Sequence, residues 1–441
     1  MPEYKHPASE QDFEQNFASI KPLMNATEAY YESSRCLFCY DAPCIKACPT
    51  EIDIPLFIRQ INGNNPLGAA QTIYQSNHFG HACGKVCPTE VLCEGACVYN
   101  HQNVKPIEIG RLQSFATQKA INSNKKMFAL KPNNGKKVAI IGAGPAGISC
   151  ACELRMNGFE VTIYEAKAQP SGLTVYGVAP YKITNQEVLE EMAYLQNQFG
   201  FTILYNHPIA TKQDLQNLEQ QFDSIFLGIG LGETSKIGIL GEDLDNCFGA
   251  VEFIEQLRME HHRVQVPQNV VVLGGGNTAM DAASECARMG AENVILAYRR
   301  EKEAMGAYDF EYELAKTAGV KGLFNAQPIE IVGENGCVTG VKFVQTTNTN
   351  GQLQTIENSE FVVPCNWVIK ATGQSKRVQF LQMIDELELD SKKRIVINPN
   401  TYQTTNPRYF AAGDAVNGGK EVVNAVAEGR KAANAIVNCN L

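Results

Sequence analysis

No stretch of this 441-residue chain is long and apolar enough to span a bilayer. That argues against a transmembrane helix, and Met1–Pro7 is polar with nothing resembling a secretory signal. Low-complexity tracts and short-period repeats are also missing. So is any basic excess: 38 Lys and Arg stand against 47 Asp and Glu, a formal net charge of −9. A nucleic-acid or membrane-surface partner is therefore not expected. These absences together point to a cytoplasmic, reducing location, where clustered cysteines do not pair as disulfides. The length suits about three domains, and 36 glycines suit an α/β protein with many tight turns.

What is abundant is cysteine at one end. Eight of fifteen cysteines precede residue 100, as Cys36-x2-Cys39-x4-Cys44-x3-Cys48-Pro49 and Cys83-x3-Cys87-Pro88-x5-Cys93-x3-Cys97. Gaps of two to four residues let a tight loop aim several sulfurs at one cluster, and proline after the run fixes chain direction. In bacterial runs ending in Cys-Pro the fourth cysteine serves the other cluster. Two 4Fe–4S clusters are therefore expected, with Cys36, Cys39 and Cys44 on one and Cys48 reaching the second. Zinc prefers paired two-plus-two spacing, which the x4 and x3 gaps suit less well.

Amphipathic patterns over Ile54–Ile61 and Ile109–Ile121 predict helices joining the cysteine loops, and residues 122–135 read as a polar linker. Beyond it strands and helices are expected to alternate to the C-terminus, implying parallel sheets. Two glycine-rich fingerprints about 130 residues apart punctuate this region. The first is Gly142-Ala143-Gly144-Pro145-Ala146-Gly147, between a strand and a helix, with Glu165 ending the next strand. The first glycine permits the turn, the second lets backbone approach a pyrophosphate, the third allows close helix–strand packing, and the acid accepts from a ribose. Cys150 and Cys152 inside that helix read as packing residues. Near the C-terminus Ala-Ala-Gly413-Asp414 resembles the second flavin motif of flavoproteins with two dinucleotide folds, so this site is expected to hold FAD. The second fingerprint is Gly274-Gly275-Gly276-Asn277-Thr278-Ala279, and its following strand ends in Arg299 and Arg300 instead of an acid. Arginine there suits a 2′-phosphate and hence NADP, unless the pair only neutralises Glu301 or Glu303. Ala371-Thr372-Gly373 reads as the exit by which the chain returns to the flavin domain.

These motifs in this order, together with Tyr298-Arg299-Arg300-Glu301 and the tract from Gly306 to Glu313, resemble the glutamate synthase small-subunit family of FAD and iron–sulfur oxidoreductases. Within it the likeness is greatest to the flavin subunits of bacterial NAD-dependent dihydropyrimidine dehydrogenases. The resemblance implies a helical iron–sulfur domain (1–132), an FAD domain (133–233 and 374–441) and an NAD(P) domain inserted in it (234–373). It assigns Cys36, Cys39, Cys44 and Cys97 to one cluster, and Cys48, Cys87, Cys93 and Gln113 to the other. Counting thiols alone would place Cys83 where Gln113 stands. The resemblance also puts Leu173 and Lys182 along FAD, and Thr278, Arg299 and Arg300 along NAD(P)H.

The implied activity is electron input from NAD(P)H through FAD and two clusters to an FMN-containing partner that reduces uracil or thymine. A glutamate synthase small subunit and a non-catalytic zinc-binding assembly protein are the alternatives. Two departures from the family pattern matter. Gly306 replaces an arginine that helps grip the 2′-phosphate, which leaves NADH credible. The chain also ends at Leu441 without a pyrimidine-reducing barrel, so that barrel is expected on a separate subunit.

Overall fold

In a computed structural model, residues 4–349 and 351–440 are described, and they form two compact units. Of the described residues, one holds those within 4–18, 176–181 and 232–375, and the other those within 19–175, 182–231 and 376–440.

The larger unit opens with helices that frame the cysteines. Ala26–Ser34 starts with a reciprocal capping box between Asn25 and Glu28. Ile54–Asn62 starts with Asp53 as cap and Pro55 in its first turn, and buries Ile54, Phe57, Ile58 and Ile61. These lie about one turn apart, the stripe that pulls an amphipathic helix onto a core. The central helix, Ile109–Ser123, packs against Gly80–Val86 at backbone distance. A Cβ on Gly84 would stand 2.8 Å from the Gly110 carbonyl, and one on Gly110 would stand 2.7 Å from the Gly84 carbonyl. Those two glycines let Cys83 and Cys87 sit close against the helix that carries Gln113.

The same unit then builds a parallel sheet in the order Tyr409–Ala411, Ser224–Leu227, Lys137–Ile141, Glu160–Tyr164, Thr202–Leu204. Val138–Ile141 and Ser224–Leu227 are buried throughout, as strands covered on both faces must be. The strand order reverses between Lys137–Ile141 and Ser224–Leu227, which opens a crevice at their carboxyl ends.

The other unit repeats this plan in the order Cys247–Gly249, Trp367–Lys370, Asn269–Leu273, Asn293–Tyr298, Lys321–Phe324, again all parallel. Its core includes Phe13 and Phe17 from the N-terminal segment together with Tyr181, Phe253, Met280 and Leu296. The expected alternation fails after Phe324. Ala326–Glu334 and Cys337–Thr349 form an antiparallel pair flanked by Gln352–Thr355 and Phe361–Pro364, with no helix between them among the described residues. The physical reason is local. Asn335 and Gly336 both adopt positive φ, +54° and +86°, giving the two-residue turn whose twist matches a hairpin. Among the described residues no helix is long and apolar enough to cross a membrane.

Candidate functional site

The helix Ala26–Ser34 delivers the chain to Cys36, and Phe38 then takes a left-handed conformation (φ +50°) that turns the loop toward Cys39. Pro43 starts the short helix Pro43–Ala47 that carries Cys44, and Cys48 leaves it in extended geometry. Cys36, Cys39, Cys44 and Cys97 line one cavity, whose apolar walls include Leu37, Ile54, Ile58, Ile107 and Ile109. The second cysteine run is held there by Tyr99, whose hydroxyl donates to the Arg35 carbonyl at 2.6 Å. Burial raises the Cys36 thiol. Burial and the neighbouring Cys36 and Cys97 push Cys44 up to about 12. Thiols crowded in an apolar cavity resist ionising alone, and iron(II/III) supplies the positive charge that stabilises them as thiolates, so this donor set fits an iron–sulfur cluster. All fifteen cysteines are free of disulfides. Among the described residues no three His, Cys, Asp or Glu side chains are placed to hold a single metal ion.

A second group forms beside it. Cys93 is raised first by burial, then by Glu94, Cys87 and Cys48, which are its electrostatic neighbours. Cys87 is raised by a hydrogen bond with Cys83 and then by burial. The Cys48 thiol lies 3.3 Å from the Thr50 hydroxyl. The structure thus brings Cys97 to the first run and Cys48 to the second. Gln113 is buried on the central helix, with Nε2 donating to the Gly80 carbonyl at 2.6 Å, so its other amide atom, Oε1, remains the acceptor. Cys83, also buried, is the thiol bonded to Cys87.

The first fingerprint closes the strand Lys137–Ile141 onto the helix Pro145–Met156. Gly142 has φ +101°, and a Cβ there would stand 2.5 Å from the Gly228 carbonyl across the switch point. At Gly147 it would stand 2.1 Å from the Gly142 carbonyl, whereas at Gly144 the nearest atom would be 3.8 Å away. Backbone is therefore packed on both sides of an open cradle, which fits a pyrophosphate at the helix start. Glu165 spans the loop, accepting from the Ala143 amide through Oε2 and the Lys167 amide through Oε1, both at 2.8 Å. A carboxylate has lone pairs left for a ribose hydroxyl.

Ser171 donates its amide to the Ala143 carbonyl at 2.7 Å with φ +79°, and its buried hydroxyl has no protein partner. That orphaned donor beside the cradle is a feature the motif search missed, and a non-glycine at positive φ is its structural signature. Ala146 is buried, Lys182 is buried, and Leu173 is exposed at the start of Leu173–Tyr176. At the other side Gly413 (φ +74°) donates to Glu428 at 2.9 Å, and burial raises the Asp414 carboxyl, which accepts from the Lys420 amide at 3.2 Å. A Cβ on Gly413 would stand 3.1 Å from Ala146 Cβ, so the two flavin-type motifs meet at one helix end. Cys150 and Cys152 are fully buried in that helix.

The second fingerprint has the same design. A Cβ on Gly274 would stand 2.5 Å from the Ala371 carbonyl, and one on Gly276 would meet nothing within 4 Å. The helix Asn277–Arg288 follows, with Thr278 exposed and Ala279 buried in its first turn. Asn277 accepts from the Tyr308 amide at 3.1 Å. Gly306 lies on the loop itself, its amide 2.9 Å from the Gly275 carbonyl. Arg299 and Arg300 are exposed, and neither is ion-paired among the described residues, while neighbouring Lys302 faces Glu313 at 3.9 Å. The arginines are therefore not neutralised by Glu301 or Glu303. Thr372 donates to the Ser235 carbonyl at 3.1 Å, and Gly373 has φ +94°.

Residues 13–125 match the family model described as dihydropyrimidine dehydrogenase domain II, 4Fe-4S cluster. Residues 136–429 match the pyridine nucleotide-disulphide oxidoreductase model. The chain is 35% identical to the NADPH glutamate synthase small chain of Escherichia coli, over 96% of this chain and 93% of that protein. It is 33% identical to the NAD-dependent dihydropyrimidine dehydrogenase subunit PreT of the same organism, over 96% and 97%. Thioredoxin reductase of T. acidophilum superposes with TM-score 0.52 at 22% identity, covering 69% of this chain and 99% of that one. FprA from Mycobacterium tuberculosis in complex with NADPH superposes with TM-score 0.56 at 17% identity, covering 70% and 85%. These likenesses bear on the fold of the dinucleotide-binding region, which the helical 4Fe-4S region precedes. The chain belongs to the family of FAD and iron–sulfur oxidoreductases that includes the glutamate synthase small chain and PreT.

Proposed function

We propose that this chain is an electron-input subunit that takes electrons from NAD(P)H and passes them to a partner subunit reducing uracil or thymine to the 5,6-dihydropyrimidine. The observation that carries the first half is the pairing of two pyrophosphate cradles with two cysteine groups in one chain. Bound FAD would accept the hydride electrons as a pair and release them singly to 4Fe–4S clusters.

The protein's own residues bind and orient. The Gly142–Gly147 loop, Glu165, Leu173, Lys182, Gly413 and Asp414 would hold FAD. The Gly274–Ala279 loop, Arg299, Arg300 and Ala371–Gly373 would hold the nicotinamide coenzyme. Cys36, Cys39, Cys44 and Cys97 would hold one cluster. Cys48, Cys87 and Cys93 would hold the other, with Gln113 or Cys83 as its eighth-position ligand. No proton donor among these side chains is needed for the hydride step itself.

Gly306 favours the pyrimidine reading over the glutamate one, because it removes a cation from the 2′-phosphate position and so leans toward NADH. A second reading has its own support: identity to the NADPH glutamate synthase small chain is 35%, and Arg299 and Arg300 are both unneutralised. Reconstitution separates the two. The purified chain should reduce ferricyanide with NAD(P)H and leave uracil and thymine unchanged. Adding an FMN-containing pyrimidine-reducing subunit should then give turnover, and adding a large glutamate synthase subunit should not. Turnover with the glutamate-forming subunit alone would overturn the pyrimidine assignment.

A further inference from the structure

Lys21 lies on the extended stretch before the helix Ala26–Ser34, and it is held there. The carbonyl of the next residue, Pro22, accepts from Arg111 Nε at 2.9 Å on the central helix. The Lys21 side chain is only 15% exposed. Its Nζ donates to the Cys87 carbonyl at 3.0 Å and to the Thr89 hydroxyl at 2.9 Å. Among the described residues the one ion pair it makes is long, 3.7 Å to Glu90, whose side chain is 40% exposed and therefore screened by water. A fixed, poorly solvated ammonium thus sits against the peptide of a cysteine in the second group.

We propose that Lys21 is a positioning charge that raises the reduction potential of the cluster held by Cys48, Cys87 and Cys93. This rests on the cluster assignment made above. Reduction adds one negative charge to a cluster, and a nearby cation stabilises the more negative state, with net charge and burial setting the scale of such potentials. Glu90, the exposed carboxylate opposite Lys21, opposes the effect weakly, and Glu94, next to Cys93 and accepting from the Gly110 amide at 2.9 Å, is an opposing background that the Lys21 variants leave in place. The group at Cys36, Cys39, Cys44 and Cys97 has a cation nearby, Arg59 over the Phe38 ring at 5.0 Å, but among the described residues none bonded to a ligand's peptide, so the bonded ammonium is particular to the second cluster.

The test is an EPR-monitored redox titration of the full-length holoprotein, with iron counted per chain, for wild type, Lys21→Gln, Lys21→Arg and Glu90→Gln. Lys21→Gln keeps a hydrogen-bonding side chain but not the charge. It should shift the one-electron equilibrium of the second cluster about tenfold toward the oxidised form, or about 59 mV negative, and leave the first cluster unchanged. Lys21→Arg should stay within threefold of wild type, and Glu90→Gln should shift the same cluster in the positive direction. Glu90 is exposed, so this variant still reports if Lys21→Gln fails to load iron. Equal potentials in wild type and both neutral variants, with both clusters present, would overturn the inference. Absence of a second cluster from the wild-type protein would overturn the cluster assignment as well, and iron content tells the two failures apart.

Discussion

Replacing Gly306 by arginine should convert the coenzyme preference toward NADPH. The site can accept the change: Gly306 is exposed, is not at positive φ, and a Cβ there would meet only the Gly275 carbonyl, at 3.9 Å. Its amide is bonded to the fingerprint loop at 2.9 Å, so a long cationic side chain starting there can reach a phosphate near Arg299 and Arg300. One charge-assisted hydrogen bond contributes roughly 1.5–3 kcal/mol, or about 10- to 150-fold in kcat/KM. Exposure and salt screening place the expected gain at the lower end, about tenfold for NADPH at low ionic strength and less at high salt. NADH, which has no 2′-phosphate, should be changed less than threefold. Steady-state ferricyanide reduction with each coenzyme reads both numbers. An unchanged NADPH/NADH ratio would refute the placement of Gly306 beside the 2′-phosphate. Wild type itself should use both coenzymes or lean to NADH, and an NADPH preference above about a hundredfold would contradict the reading of the missing cation.

Other expectations follow from the same geometry. Cys97→Ala and Cys48→Ala should each lower iron from about eight to about four atoms per chain, with different EPR signals lost. Gln113→Ala should perturb the second cluster more than Cys83→Ala, and a silent Gln113→Ala beside a cluster-less Cys83→Ala would reassign the eighth ligand to Cys83. Gly147→Ala would place a methyl 2.1 Å from the Gly142 carbonyl, costing roughly 1–3 kcal/mol in strain. It should lower FAD occupancy as measured by released flavin, and full occupancy would argue against that cradle as the flavin site. His78 is fully buried, bonded at Nδ1 to Ser149 at 3.3 Å, and burial followed by the Arg430 charge lowers it to about 3. Its folded pKa lies below the unfolded value near 6.5, so stability present above that pH is lost as pH falls, by about 2 kcal/mol between pH 6.5 and 5. Denaturant melts of wild type and His78→Asn at pH 7.5 and 5 should show this extra loss only in wild type. Parallel losses would exclude His78 as its source.

Motifs whose chemistry depends on local backbone were legible in the chain. Both fingerprints could be read because Gly142 and Gly274 have to pass beside the neighbouring strand's exit, and no other residue fits that approach. The spacing of the first cysteine run likewise foreshadowed the turn at Phe38 and the extended exit at Cys48. What depended on distant partners was harder to read. Phe13 and Phe17 belong to the core around Met280 and Tyr181, although they precede the cysteine region. Nothing local ties a short N-terminal helix to residues more than 160 positions away. The antiparallel sheet after Phe324 carries a local signature, Asn335-Gly336, which the expectation of continued alternation did not take into account. The bond from Lys21 to the Cys87 carbonyl links positions 66 apart, and no local pattern announces it. Ser171 was missed because its positive φ is imposed by the loop it closes with Ala143 and has no sequence signature of its own.

Hydride entry and single-electron exit through the iron–sulfur clusters of this chain would both be seen in an anaerobic titration of the purified protein with NADH under simultaneous optical and EPR observation. The protein should be brown, its flavin absorbance should bleach and reduced 4Fe–4S signals should then develop, with iron near eight atoms per chain. A colourless zinc protein, or flavin bleaching with no reducible iron–sulfur signal, would contradict this expectation.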